Sequence, residues 1–64
     1  MKNIYKGSMI NITDGLSIYV DAGNKKDCLH KLQRRYSLFK TTFDLKLNFQ
    51  DAFDLHNGTI TKQT

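Results

Sequence analysis

Apolar and polar positions alternate through "INITDGLSIYV", residues 10–20, on both sides of Asp14-Gly15. Alternation is the period of a half-buried strand, and Asp-Gly is a hairpin turn signal. Two registers compete. A two-residue turn pairs Thr13 with Leu16 and sends the two apolar sets to opposite faces. A three-residue loop, Thr13-Asp14-Gly15, pairs Ile12 with Leu16, Ile10 with Ile18 and Ser8 with Val20, with Gly15 in the left-handed position of a G1 bulge. A slip of one residue exchanges the faces of a whole strand, so the register that buries all the apolar residues is the expected one. It places Ile4, Ile10, Ile12, Leu16, Ile18 and Val20 together. The opposite face then carries Tyr5, Met9, Asn11, Ser17 and Tyr19, with Met9 across from Tyr19.

The period changes after Gly23. Cys28, Leu29, Leu32, Tyr36 and Phe39 recur at helical spacing. Asn24 is a suitable N-cap, and Asp27 stands three residues on, as in a capping box. The spacing predicts a helix over 25–38, with Lys26, His30, Lys31, Gln33, Arg34 and Arg35 on its outer surface. In "TTFDLKLNF", residues 41–49, Phe43, Leu45, Leu47 and Phe49 alternate with polar residues and predict a third strand. Asn57-Gly58 signals a C-terminal hairpin joining Phe53–His56 to Thr59–Lys62. A helical turn over Gln50–Leu55 is the alternative. Residues 61–64 read as a loose tail.

The expected architecture is α+β: a small two-layer ββαβ domain, an antiparallel sheet with one helix packed on one face, and the C-terminal hairpin appended. The 64 residues make a single domain over 1–64. A chain of this size buries only about 60% of its unfolded surface, so a partner or a second copy would help to stabilise it. One cysteine, Cys28, excludes an internal disulfide and a cysteine-based zinc site. The first eight residues are polar and lack the apolar core of a signal peptide, and no apolar run has membrane-span length. The expected setting is the cytoplasm, without membrane contact.

The formal net charge is +4. All six acidic residues are Asp. Of the cations, Lys25, Lys26, Lys31, Arg34, Arg35 and Lys40 lie in or next to the predicted helix, against Asp27 alone. The wealth of Lys, Asn, Ile and Thr is common in AT-rich genomes, including those of phages and plasmids.

Catalytic constellations are poor. Cys28 and His30 are two apart on a helix and point in different directions. His30 and His56 lack metal-ligand spacing. Asp44-Leu45-Lys46 resembles the end of a metal-nuclease strand pattern, but no second acid is placed to complete it. The four glycines are isolated and form no phosphate loop. No enzyme, metal or cofactor is expected.

Two surfaces remain. The first is the basic helix face of Lys26, His30, Lys31, Arg34 and Arg35. It suits an acidic protein surface or phosphates, or it serves as a solvated face. The second is the Tyr5, Met9, Tyr19 patch, suited to a protein contact or a homodimer. The leading expectation is a small non-enzymatic binding protein. It would be an inhibitor or regulator of the phage or mobile-element type, including anti-defence proteins, docking on a host protein, one that handles nucleic acid among the candidates. Direct DNA or RNA binding by the same helix is the alternative, although no helix-turn-helix, RNP-like strand or zinc finger is present. A homodimer with a structural or toxin–antitoxin role ranks third.

Overall fold

The computed structural model describes residues 3–63. Strands β1 (Ile4–Thr13) and β2 (Leu16–Ala22) form an antiparallel hairpin, followed by helix α1 (Lys25–Phe43), helix α2 (Phe49–Leu55) and strand β3 (Thr59–Gln63). The sheet order is β2-β1-β3, with both pairings antiparallel. Helix α1 covers one face. The α+β class and the helix-on-sheet layering thus agree with the sequence reading. The third strand does not come from residues 41–49.

The hairpin turns on two residues. Thr13 pairs with Leu16, and Asp14 and Gly15 both have positive φ, 51° and 75°. That is the type I′ geometry favoured between right-twisted strands. The three-residue loop expected from the apolar pattern is therefore wrong. The conflict between apolar sets is resolved further along β1. The register shifts between Met9 and Thr13, where Asn11 adopts φ 54° and its N–H donates to Ser17 Oγ at 3.1 Å. This bulge turns Ile12 inward while leaving Ile10 exposed. On its far side Gly7 pairs with Val20 and Met9 with Ile18. Met9, Ile12, Ile18, Val20 and Ala22 are buried, whereas Ile4, Ile10 and Leu16, expected in the core, are exposed.

Helix α1 begins as expected. The Asn24 side chain accepts from Asp27 N at 2.8 Å. It buries Cys28, Leu32 and Tyr36, with Phe39 packed beside them. It runs five residues past the expected end at 38, to Phe43. Phe39 and Phe43, four apart, stack at 5.6 Å between ring centroids and carry the helix through the first residues of the expected strand. Asp44 (φ 53°) then takes the left-handed position, and Leu45 N donates to Lys40 O, closing a Schellman motif. The alternation Phe43, Leu45, Leu47, Phe49 is thus divided among a helix end, its cap, a loop and the start of α2.

Helix α2 repeats the design of α1. The Asn48 side chain accepts from Asp51 N at 2.9 Å. Asn57 (φ 53°) ends the helix, and Gly58 N donates to Phe53 O. Asn57-Gly58 therefore closes a helix, and the expected C-terminal hairpin is replaced by the helical alternative. The residues after the turn pair instead with β1, from Ser8 with Thr59 to Ile4 with Gln63. Thr61–Gln63, expected to be loose, belong to this strand. Phe49 stacks between Tyr36 and Phe53, at 6.2 and 5.6 Å, and Tyr36 Oη donates to Leu47 O at 2.6 Å. These contacts hold α2 against α1.

Two glycines are required by contact. A Cβ on Gly7 would lie 2.8 Å from Leu32 Cδ1 and 2.9 Å from Cys28 Sγ, and one on Gly58 would overlap the Phe53 ring. Around Gly23 there is open space. Gly7→Ala is expected to destabilise the domain by about 1–3 kcal/mol, the usual range for overpacking. Gly23→Ala should stay within about 1 kcal/mol of the parent, on the stabilising side. Thermal melts followed by circular dichroism would check both.

Candidate functional site

The five basic positions singled out from the sequence, Lys26, His30, Lys31, Arg34 and Arg35, are all exposed on α1. Helix periodicity divides them. Lys31 and Arg35 are four apart, and Phe39 follows four later, so these three share one flank with Arg34 beside them. That flank lies along β2. A cleft of about 330 Å³ is lined by Tyr19, Val20 and Asp21 from β2 and by Lys31, Arg34 and Arg35 from α1. Toward the hairpin turn a second concavity lies between Ser17, Ile18 and Tyr19 and the side chains of Arg35 and Phe39. Arg35 and Tyr19 belong to both, so one groove follows β2 from Ser17 to Asp21. His30 lies on the outer side of Lys31, in a depression shared with Asp27 and Arg34. Lys26 does not line the groove.

The cationic flank has little internal compensation. Among the described residues the one ion pair is Lys46–Asp44 at 3.2 Å, remote in sequence from the flank and highly exposed. Such a pair contributes little to stability. Lys31 Nζ instead donates to the backbone carbonyl of Asp21 at 2.6 Å. Asp21 is the one acidic residue lining the groove.

Tyr5, Met9 and Tyr19 do not form the second surface expected of them. Met9 is fully buried, opposite Ile18, and Tyr5 packs against the core. The observed register is one residue away from the expected one, which exchanges the two faces of β1. Tyr19 alone is open, at 72% exposure, and belongs to the groove and to the uncovered sheet face. That face is mainly polar, with Lys6, Ser8, Thr59 and Thr61 around Tyr19 and Asp21. The groove residues that sequence reasoning missed are Ser17, Asp21 and Phe39. Their relation to the basic flank depends on strand order, for which the local pattern holds no signal.

Cys28 and His30 separate as their spacing requires. Cys28 is buried under α1 with Sγ 3.8 Å from Tyr5 O, and His30 faces out. Burial pushes the Cys28 thiol up, the nearby Asp21 charge adds to this, and Lys31 opposes it. Burial also pushes the Tyr36 phenol up. Asp44 is the C-cap residue of α1 and Lys46 follows it in the loop, so neither lies on a strand. Among the described residues no three His, Cys, Asp or Glu side chains gather as metal ligands, and no helix is long and apolar enough to cross a membrane. No protein-family model, curated protein or solved structure matches the chain.

A raised thiol pKa favours the protonated thiol in the folded state, whereas the unfolded state ionises near pH 8.5. The stabilisation is fully present below that pH and is lost as pH rises toward the folded-state value. Stability measured by urea denaturation should therefore fall above about pH 8.5, and Cys28→Ala should flatten the decline attributable to the thiol, with Tyr36 contributing at higher pH. A thiol reagent at pH 8 should react with the native protein far more slowly than with the urea-unfolded chain.

Proposed function

We propose that this chain is a non-enzymatic binding protein that docks on an acidic surface of a protein partner through the α1 flank of Lys31, Arg34 and Arg35, with His30 and Lys26 at its margin. The observation that carries this reading is the exposed row of cations bordering a groove, none of which forms an ion pair among the described residues. Complementary charge would steer such a partner and fix its orientation. A polypeptide with spaced carboxylates suits the flank better than a continuous phosphate backbone, because Asp21 and Asp27 interrupt the cations. In this reading the chain acts in the cytoplasm as an inhibitor or regulator of the phage or mobile-element type, anti-defence proteins included, and its Lys-, Asn-, Ile- and Thr-rich composition is of the kind common in such AT-rich genomes.

The test is affinity capture from a bacterial lysate by the parent and by an Arg34→Glu/Arg35→Glu variant, with and without nuclease. Both arginines are exposed, so the variant should keep the fold, checked by its melt. Retention of one protein by the parent after nuclease treatment, and at least a tenfold loss with the variant, is the expected result. Equal retention by both removes the flank from the function. Retention of nucleic acid that disappears on adding salt makes the flank a phosphate-binding surface instead.

A further inference from the structure

Among the described residues the outer edge of β2 has no strand beside it, and the direction of its backbone groups follows from two hydrogen bonds. Ile10 N donates to His56 O, on the β3 side of β1. Successive residues of a strand direct their backbone groups to opposite sides. Ile4, Lys6 and Ser8 therefore bond β3, and Tyr5, Gly7 and Met9 bond their β2 partners Ala22, Val20 and Ile18. This leaves the N–H and C=O groups of Ser17, Tyr19 and Asp21 directed away from the sheet. The Lys31 Nζ bond to Asp21 O agrees with this, because that carbonyl must point outward to receive it. The groove running from Ser17 to Asp21 thus has a backbone edge along one wall and Lys31, Arg34, Arg35 and Phe39 along the other.

We infer that β2 is a strand-addition site for an extended acidic segment of the partner protein. The segment would pair with the backbone of Ser17 and Tyr19. Carboxylates on its helix-facing side would meet Lys31, Arg34 and Arg35, and the alternate side chains would lie over the open sheet face beside Tyr19. Backbone pairing supplies affinity in this mode, and alternate side chains supply specificity. Charge decides the occupant. A second copy paired edge to edge would bring two cationic flanks to one seam, whereas an acidic strand neutralises one. This inference rests on the function proposed above and adds the manner of docking.

The probe is a short capped peptide of alternating glutamate and valine, titrated into the full-length isotope-labelled chain at low salt. The expected result is protection of the Tyr19 and Ser17 amides from hydrogen exchange, without a comparable change at Val20, whose amide is already bonded to β1. Tyr19→Pro removes an outward N–H and no bond within the sheet, which an edge strand tolerates. It should weaken the peptide about tenfold, the loss of one or two hydrogen bonds. Tyr19→Ala, which keeps the amide, should weaken it less. Arg34→Glu/Arg35→Glu should weaken it in any docking on this flank. Binding that depends on the arginines but leaves Tyr19 and Ser17 exchange unchanged overturns strand addition and spares the proposed function. Indifference to the arginines as well overturns both, and so does failure of the peptide to bind while an oligonucleotide duplex binds. The exchange measurement on the parent chain decides the matter even if Tyr19→Pro does not fold.

Discussion

Helix α1 rests on the sheet at Gly7, and the remaining geometry depends on that contact. Gly7 sits in the central strand, paired with Val20 on one side and Ile60 on the other. Cys28 and Leu32 occupy the space where its side chain would be. Both are fully buried. A chain of 64 residues has little interior to spare, and a close approach of helix to sheet is one way to remove apolar surface from water without a larger core. Met9 fills the space beside this contact and Tyr36 extends it toward α2.

With Gly7 beneath the helix, the parity of the hairpin is settled. Tyr5 and Met9 must share its face, and Ile18, Val20 and Ala22 follow across the pair. Ile12 lies an odd number of residues from Met9 and in a regular strand would point into solvent. The left-handed Asn11 removes that conflict, so the bulge is the device by which an apolar pattern with mismatched phases still closes one core. The same parity turns Tyr19 and Asp21 to the open face and their backbone groups to the free edge. The groove is therefore a by-product of how the core is packed.

What could be read from the sequence was set by the range over which each signal acts. The Asn24–Asp27 cap and the Cys28, Leu32, Tyr36 stripe are local, and both appear in the structure as read. The same Asn-x-x-Asp spacing stands at Asn48–Asp51, overlapping the end of a stretch whose alternation of Phe43, Leu45, Leu47 and Phe49 reads as a strand. That alternation is an ambiguous signal, because a helix end, a Schellman cap and a second helix start can space apolar residues in the same way. Asn57-Gly58 was equally ambiguous, since a left-handed residue serves a hairpin or a helix terminus. The hairpin register failed for a different reason. The apolar count favoured a three-residue loop, and nothing local shows that Ile4, Ile10 and Leu16 could be given up in exchange for Met9. The basic residues were legible as a helix face. Their position beside a free strand edge was not, because strand order is a tertiary property.

An uncovered edge is a hazard, since it invites pairing with any extended chain. Sheets commonly protect such edges by covering them or by charge. Here the charge lies on the helix flank beside the strand, and Lys31 already bonds the edge carbonyl of Asp21. Like charge on two copies opposes their joining across β2, whereas an acidic segment meets no such barrier. Under the strand addition proposed above, the charge that opposes pairing with a second copy would also select an oppositely charged strand. Protection and recognition would then be a single electrostatic property of the Lys31, Arg34 and Arg35 flank.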